Sequence, residues 1–218
     1  MMTEEQIKIV ENAKEYVHNL MKNESSGHDH FHALRVLNTA LELAAEECAD
    51  EFIVSLAALL HDVDDRKLSP ETYKNKDRAA AFLRENGIGE AQIGEILGII
   101  EEVSFKGTDS TVPSSIEGKC VQDADRLDAL GAIGIARTFA YGGSRNRQMY
   151  DPGIEPKTDM TEEEYRRSES TSLNHFYEKL FKLKEMMNTD SAIRKAEVRE
   201  NFMKDFVVEF LAEWDGTK

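Results

Sequence analysis

The chain has 218 residues, a length that suits one domain, and its 27 Lys+Arg against 42 Asp+Glu leave a net charge of −15. A surface this acidic repels phosphodiester backbones and anionic lipid, which excludes non-specific binding to double-stranded nucleic acid and to membrane surfaces. A nucleotide substrate stays open, because a metal ion or a basic pocket inverts the field locally, and 40% apolar residues with only 4 Pro and 13 Gly read as a helical core.

Thr3 and Gln6 have the spacing of a capping box, and Ile7, Val10, Val17, Leu20 and Met21 recur at helical steps, so a first helix is predicted to about Lys22. The acidic, polar start Met1-Met2-Thr3-Glu4-Glu5 lacks the basic-then-apolar order of a secretory signal. No apolar run reaches the ~18 residues of a membrane span, so a cytoplasmic location is expected. Asn23 to Gly27 is a break, and a second helix is predicted from Asp29 to about Cys48. Asp50 can cap a third, whose body from Phe52 to Leu60 is apolar all round, the mark of a helix buried on every side. It runs straight into His61-Asp62-Val63-Asp64-Asp65, and polar groups there are costly unless something pairs with them.

Ser69-Pro70 reads as the start of a fourth helix and Asn86-Gly87 as its stop. Glu90 to Val103 is a further helix, Ser104 to Ser115 a loop, and helix resumes by Glu117 through Asp128, with another after Gly131. Gly142 to Asp159 reads as a second long loop, able to act as a lid; loops of ~12 and ~18 residues in a helical domain are more often functional than accidental. Ser168 to Met187 and Ser191 to Trp214 are predicted as two long closing helices, with Met186, Met187, Phe202, Met203, Phe206, Phe210 and Trp214 in the core. Cys48 and Cys120 form no CxxC, fit a reduced compartment and are expected to be buried.

Three of the six histidines, His28, His30 and His32, stand at the start of the second helix, and a fourth opens the His61-Asp62 pair. A His on one helix, a His-Asp at the end of a buried helix and an Asp on a later helix can converge in a bundle core. Two neutral imidazoles and two carboxylates suit Mn, Fe, Co, Ni or Zn better than Ca, which prefers oxygen ligands only. Four protein ligands on an octahedral ion leave two positions for water and substrate. On spacing alone His28, His30 and His32 compete for the first position, and Asp123, Asp125 and Asp128 for the last. No GxSxG nucleophile, phosphate-binding glycine loop or paired Glu-x-x-His occurs.

His32-Ala33-Leu34-Arg35-Val36, Ala57-Ala58-Leu59-Leu60-His61-Asp62 and Asp123-Ala124-Asp125-Arg126-Leu127-Asp128-Ala129 resemble the H…HD…D signature of the HD-domain metal-dependent phosphohydrolases. Ser104-Phe105-Lys106-Gly107, Gly131 to Arg137 and His175-Phe176-Tyr177-Glu178-Lys179 resemble a bacterial and archaeal subfamily of single-domain HD proteins, some of which hydrolyse nucleoside triphosphates to the monophosphate and pyrophosphate. The resemblance spans roughly residues 25–215. It implies an all-α, HD-domain helical bundle forming one domain over 1–218, with the motif-bearing core at about 25–140 and closing helices at about 161–215.

The resemblance further implies that His32, His61, Asp62 and Asp125 hold one divalent transition metal ion, with Asp123 still open as an alternative fourth ligand. Asp65, about one turn after His61, is expected to handle protons beside the catalytic Asp62, and Asp123 and Asp128 to support the ligands. His28 is expected to face the substrate, and Arg35, Lys67, Lys106, Arg126, Arg145 and Arg147 to hold its phosphates. The expected activity is hydrolysis of a phosphoanhydride or phosphoester in a small nucleotide. The alternatives are a nucleoside monophosphate phosphatase and a nucleotide-binding sensor with vestigial hydrolysis. A homodimer is a further expectation.

Overall fold

Thr3 opens the first helix as its spacing with Gln6 predicts: the Thr3 hydroxyl accepts from Gln6 N at 3.2 Å, and Gln6 Oε1 accepts from Thr3 N at 2.9 Å. The computed structural model describes residues 2–22, 29–65, 71–72, 74–103, 111–158 and 170–218. These contain α1 (Glu4–Met21), α2 (His30–Glu47), α3 (Glu51–Leu60), α4 (Asp77–Glu85), α5 (Glu90–Val103), α6 (Ile116–Asp128), α7 (Gly131–Ser144), the short α8 (Asn174–Glu178) and α9 (Asp190–Trp214). Two 3₁₀ turns, Leu180–Lys182 and Lys184–Met186, follow α8. No strand occurs among the described residues, and no helix among them is long and apolar enough to cross a membrane. The fold is all-α.

The described residues form two compact units, one ending at Asp125 and the other running from Arg126 to Lys218, so that α6 carries the boundary. In the first, Asp50 caps α3, its Oδ1 accepting from Phe52 N at 2.8 Å and Ile53 N at 3.2 Å. Phe52 to Leu60 is buried at every position, and α3 is the central element, packed against α1, α2 and α5. In the second unit α9 packs on α7, and Phe139, Phe176, Phe206 and Phe210 form a ring cluster with centroids about 6 Å apart.

Several expectations are corrected. α4 starts at Asp77 because Lys76 adopts the left-handed conformation (φ 55) after a run of turns; the expected start at Ser69-Pro70 lies outside the described residues. The predicted long helix to Met187 is broken at Lys179 (φ −136), leaving five residues of α8 and two 3₁₀ turns. The second long loop begins later, since α7 continues to Ser144. Its described part is a fastened strap: Gln148 O and Met149 O accept from Ser172 N and Leu173 N at 2.9 Å, and Ile154 O from Asn174 Nδ2 at 2.8 Å. Gly142 permits this approach, because a Cβ there would lie 2.1 Å from Ser172 Oγ. Cys48 ends α2 in the left-handed conformation and is exposed, whereas Cys120 is buried and its thiol is pushed up to about 12, chiefly by burial. Of the aromatic residues assigned to the C-terminal core, Phe202 and Trp214 are exposed.

Candidate metal centre

Asp29 starts α2 by accepting from His32 N at 2.9 Å, which seats the buried His32 in the first helical turn. α3 ends at Leu60, so His61 and Asp62 stand on the turn that follows, with Val63 N donating to Leu60 O and Asp65 N to Asp62 O. His61 Nδ1 lies 2.8 Å from the carbonyl oxygen of Ala58. A carbonyl can only accept, so Nδ1 carries the proton and Nε2 of the neutral ring presents its lone pair.

Nε2 of His32 lies 3.5 Å from Asp62 Oδ2 and 3.4 Å from Asp125 Oδ1; Nε2 of His61 lies 3.3 Å and 3.9 Å from the same two oxygens. These separations exceed ordinary hydrogen bonds. Three of the four match adjacent ligands around a shared centre, since atoms about 2.0–2.2 Å from one ion stand roughly 3–3.5 Å apart; the His61–Asp125 separation of 3.9 Å is wider. Among the described residues, His32, His61 and Asp62 form the group whose ligand atoms all lie within 4.8 Å of one another. His61 Nε2 is buried and finds no hydrogen-bond partner among them. The residues fit a divalent metal of borderline softness.

The electrostatics agree. Burial presses the His61 imidazole down, but Asp62 and then Asp125 more than offset this, and its pKa is raised from 6.5. Burial pushes the Asp125 carboxyl up, yet the His32 contact and the charges of both imidazoles outweigh it and hold it at about 2. Without an ion these shifts favour a proton on His61 and an ionised Asp125, whereas a bound ion would require the imidazoles neutral.

Arg35 is half-buried one turn after His32, and Asp65 is half-buried beyond the turn. His28, Lys67 and Lys106 lie outside the described residues. Asp123 is fully buried near the Cys120 thiol, while Asp125 is the α6 carboxylate that reaches both imidazole nitrogens. Arg126, expected to hold phosphate, is buried and donates to the Met186 carbonyl oxygen. Asp128 is buried and accepts from Arg137 at 2.8 Å. Arg145 lies over the Tyr141 ring and is exposed; Arg147 is half-buried, its N–H on Gly142 O. His30 is half-buried with its ring edge against His18. Sequence reasoning missed the Ala58 carbonyl and Asp64. The latter is 1% exposed and accepts from Arg78 N at 3.2 Å and Ala79 N at 2.9 Å. Its partners lie 14 and 15 residues away, and no local pattern announces such a pairing.

A helical protein that gathers one His from a helix start, a His-Asp pair from the end of a buried helix and an Asp from a later helix has the architecture of the metal-dependent HD hydrolases. The HD domain model matches residues 30–130, a span that contains all four side chains. YpgQ of Bacillus subtilis is 39% identical over 204 residues, covering 93% of this chain and 92% of that protein. A crystal structure of an HD-superfamily hydrolase from Bacillus thuringiensis shares 43% identity and a TM-score of 0.76, covering 96% of this chain and 98% of that one. The crystal structure of B. subtilis YpgQ in complex with ADP superposes with a TM-score of 0.76 at 35% identity, covering 96% of each chain. The chain belongs to the HD superfamily of hydrolases.

Proposed function

We propose that the chain is a metal-dependent phosphohydrolase of a small nucleotide, in which His32, His61, Asp62 and Asp125 hold one divalent transition metal ion. The observation that carries this is the approach of both imidazole Nε2 atoms to Asp62 and Asp125 oxygens at 3.3–3.9 Å, with His32, His61 and Asp62 forming the group within 4.8 Å. Membership of the HD superfamily supports hydrolysis, and the ADP held by the B. subtilis relative supports a nucleotide.

Bound there, the ion would supply Lewis acidity toward a phosphoryl oxygen and lower the pKa of a water. The chain's own residues do the rest. His61, with Nδ1 committed to Ala58 O, offers Nε2 in a fixed direction. Asp62 and Asp125 bring two negative charges into a buried setting. Asp65 accepts the proton released as water attacks phosphorus. Arg35, on the first turns of α2, holds phosphate oxygens against a chain of net charge −15. Arg145 and Arg147 are assigned no phosphate contact in this reading, nor is Arg126.

Elemental analysis of purified wild type and His61→Ala tests the ligand set, and turnover of nucleoside mono-, di- and triphosphates with Mn, Co and Ni tests the chemistry. Wild type should hold about one ion per chain. Removing even an outer partner of a ligand typically costs ~10–100-fold in affinity, so His61→Ala should lose at least that. Release of pyrophosphate from triphosphates fits the proposed reaction best, and phosphate release from monophosphates alone points to the phosphomonoesterase alternative. Equal metal content in the two proteins overturns the assignment; bound metal without turnover leaves a nucleotide sensor.

A further inference from the structure

We infer that Asp64 is a positioning residue for the metal centre: its carboxylate fastens the turn that bears His61 and Asp62 to the N-terminus of α4. The inference rests on the metal reading above and adds a residue outside the ligand set.

The need for such a fastening is visible in the backbone. Helix α3 stops at Leu60, so His61 to Asp64 stand on consecutive turns, beyond the helix's regular hydrogen bonding. The direction of the Asp62 carboxylate depends on where that turn lies. Two backbone bonds, Val63 N to Leu60 O at 3.3 Å and Asp65 N to Asp62 O at 3.0 Å, shape the turn from within. Neither relates it to the rest of the unit.

Asp64 does. It is 1% exposed, and each of its two oxygens accepts from a different backbone N–H, Oδ1 from Arg78 at 3.2 Å and Oδ2 from Ala79 at 2.9 Å. With both oxygens engaged the side chain cannot rotate without breaking a buried bond. α4 depends on the same contact, because Lys76 at its N-cap position makes no side-chain cap bond. The first N–H groups of a helix need an outside acceptor and favour a negative one. α4 in turn packs on α5, and α5 on α3. The chain thus closes a mechanical ring from α3 through the turn, Asp64, α4 and α5 back to α3, with the metal-binding pair on its free stretch. Asp64 is a buried polar joint of that ring.

Asp64→Asn tests this without emptying the site. The amide keeps one acceptor oxygen and a good capping group, so the protein should fold, but its NH₂ cannot accept from Ala79 N. The affinity of wild type, Asp64→Asn and Leu83→Val for Mn²⁺ alone is measured by titration calorimetry well below each melting temperature, with helix content checked by circular dichroism. Leu83 is fully buried on α4, and its shortening lowers stability while leaving Asp64 and the N–H groups of Arg78 and Ala79 in place. Asp64→Asn should weaken Mn²⁺ binding about 10-fold or more, the range seen when an outer partner of a ligand is lost, while Leu83→Val should melt earlier with unchanged affinity. Unchanged affinity in Asp64→Asn, or an equal loss in Leu83→Val, overturns the positioning role and leaves Asp64 as a cap only. Wild type that binds no Mn²⁺ overturns the metal reading, and this inference with it.

Discussion

At His61 two demands meet on one ring. The Ala58 carbonyl, three residues back on α3, takes Nδ1–H, and the other nitrogen faces Asp62 and Asp125. The gathering of His32, His61, Asp62 and Asp125 was legible in the sequence because their local contexts resemble a family signature; the carbonyl was not, because every residue has one and only the end of the helix decides which is available. Asp65 is the residue whose proposed role a kinetic measurement tests most directly. In the reading above it accepts a proton and binds no metal, so Asp65→Asn should keep the fold and the metal content. Its kcat should fall by the ~10²–10⁴-fold typical of one general acid–base group, with KM nearly unchanged. Steady-state kinetics beside elemental analysis reads both quantities. Metal loss would move Asp65 into the ligand set, and full activity would leave the attacking water without a protein base.

At the scale of elements, sequence reading succeeds where the signal is local. Asp50 before Phe52, and a nine-residue stretch to Leu60 that is apolar except for Ser55, specify a capped and fully buried α3 with no tertiary information. It fails where a distant group decides. α4 begins eight residues after Ser69 because Lys76 turns left-handed and Asp64 caps the helix from across the unit. The expected closing helix fails for a related reason: Ser172, Leu173 and Asn174 are bonded to the strap before them, and Lys179 departs from helical geometry after one turn. α3 therefore offers the cleaner test of capping. Asp50→Ala removes the acceptor of two N–H groups and should cost about 0.5–2 kcal/mol, a fall of roughly 1–8 °C in melting temperature for a chain of this size. Asp50→Asn should sit close to wild type. Thermal melts of the three proteins check the order, and an unchanged Asp50→Ala would show that burial of α3 alone holds its start.

For the whole molecule, the centre couples acidity to stability with opposite signs in its two states. In protein stripped with a chelator, His61 binds its proton more tightly folded than unfolded, since its pKa is raised from 6.5. That stabilisation is fully present below the unfolded value and is lost as pH rises through the folded one. Asp125, held at about 2 instead of 3.8, contributes above the unfolded value and loses that contribution as pH falls toward 2. An ion needs the imidazoles neutral, so its affinity rises over the same interval in which the His61 proton leaves. At a free Mn²⁺ concentration of 100 times Kd, binding adds about 2.7 kcal/mol, which for a chain of this size is roughly 5–10 °C. The difference in melting temperature between Mn²⁺-loaded and chelated protein should therefore be positive, and should widen from about pH 6 to about pH 8 at fixed total Mn²⁺. Differential scanning calorimetry across that range measures it directly. A difference that narrows toward pH 8 would mean that the ion does not compete with the His61 proton, and that His61 lies outside the set that holds it.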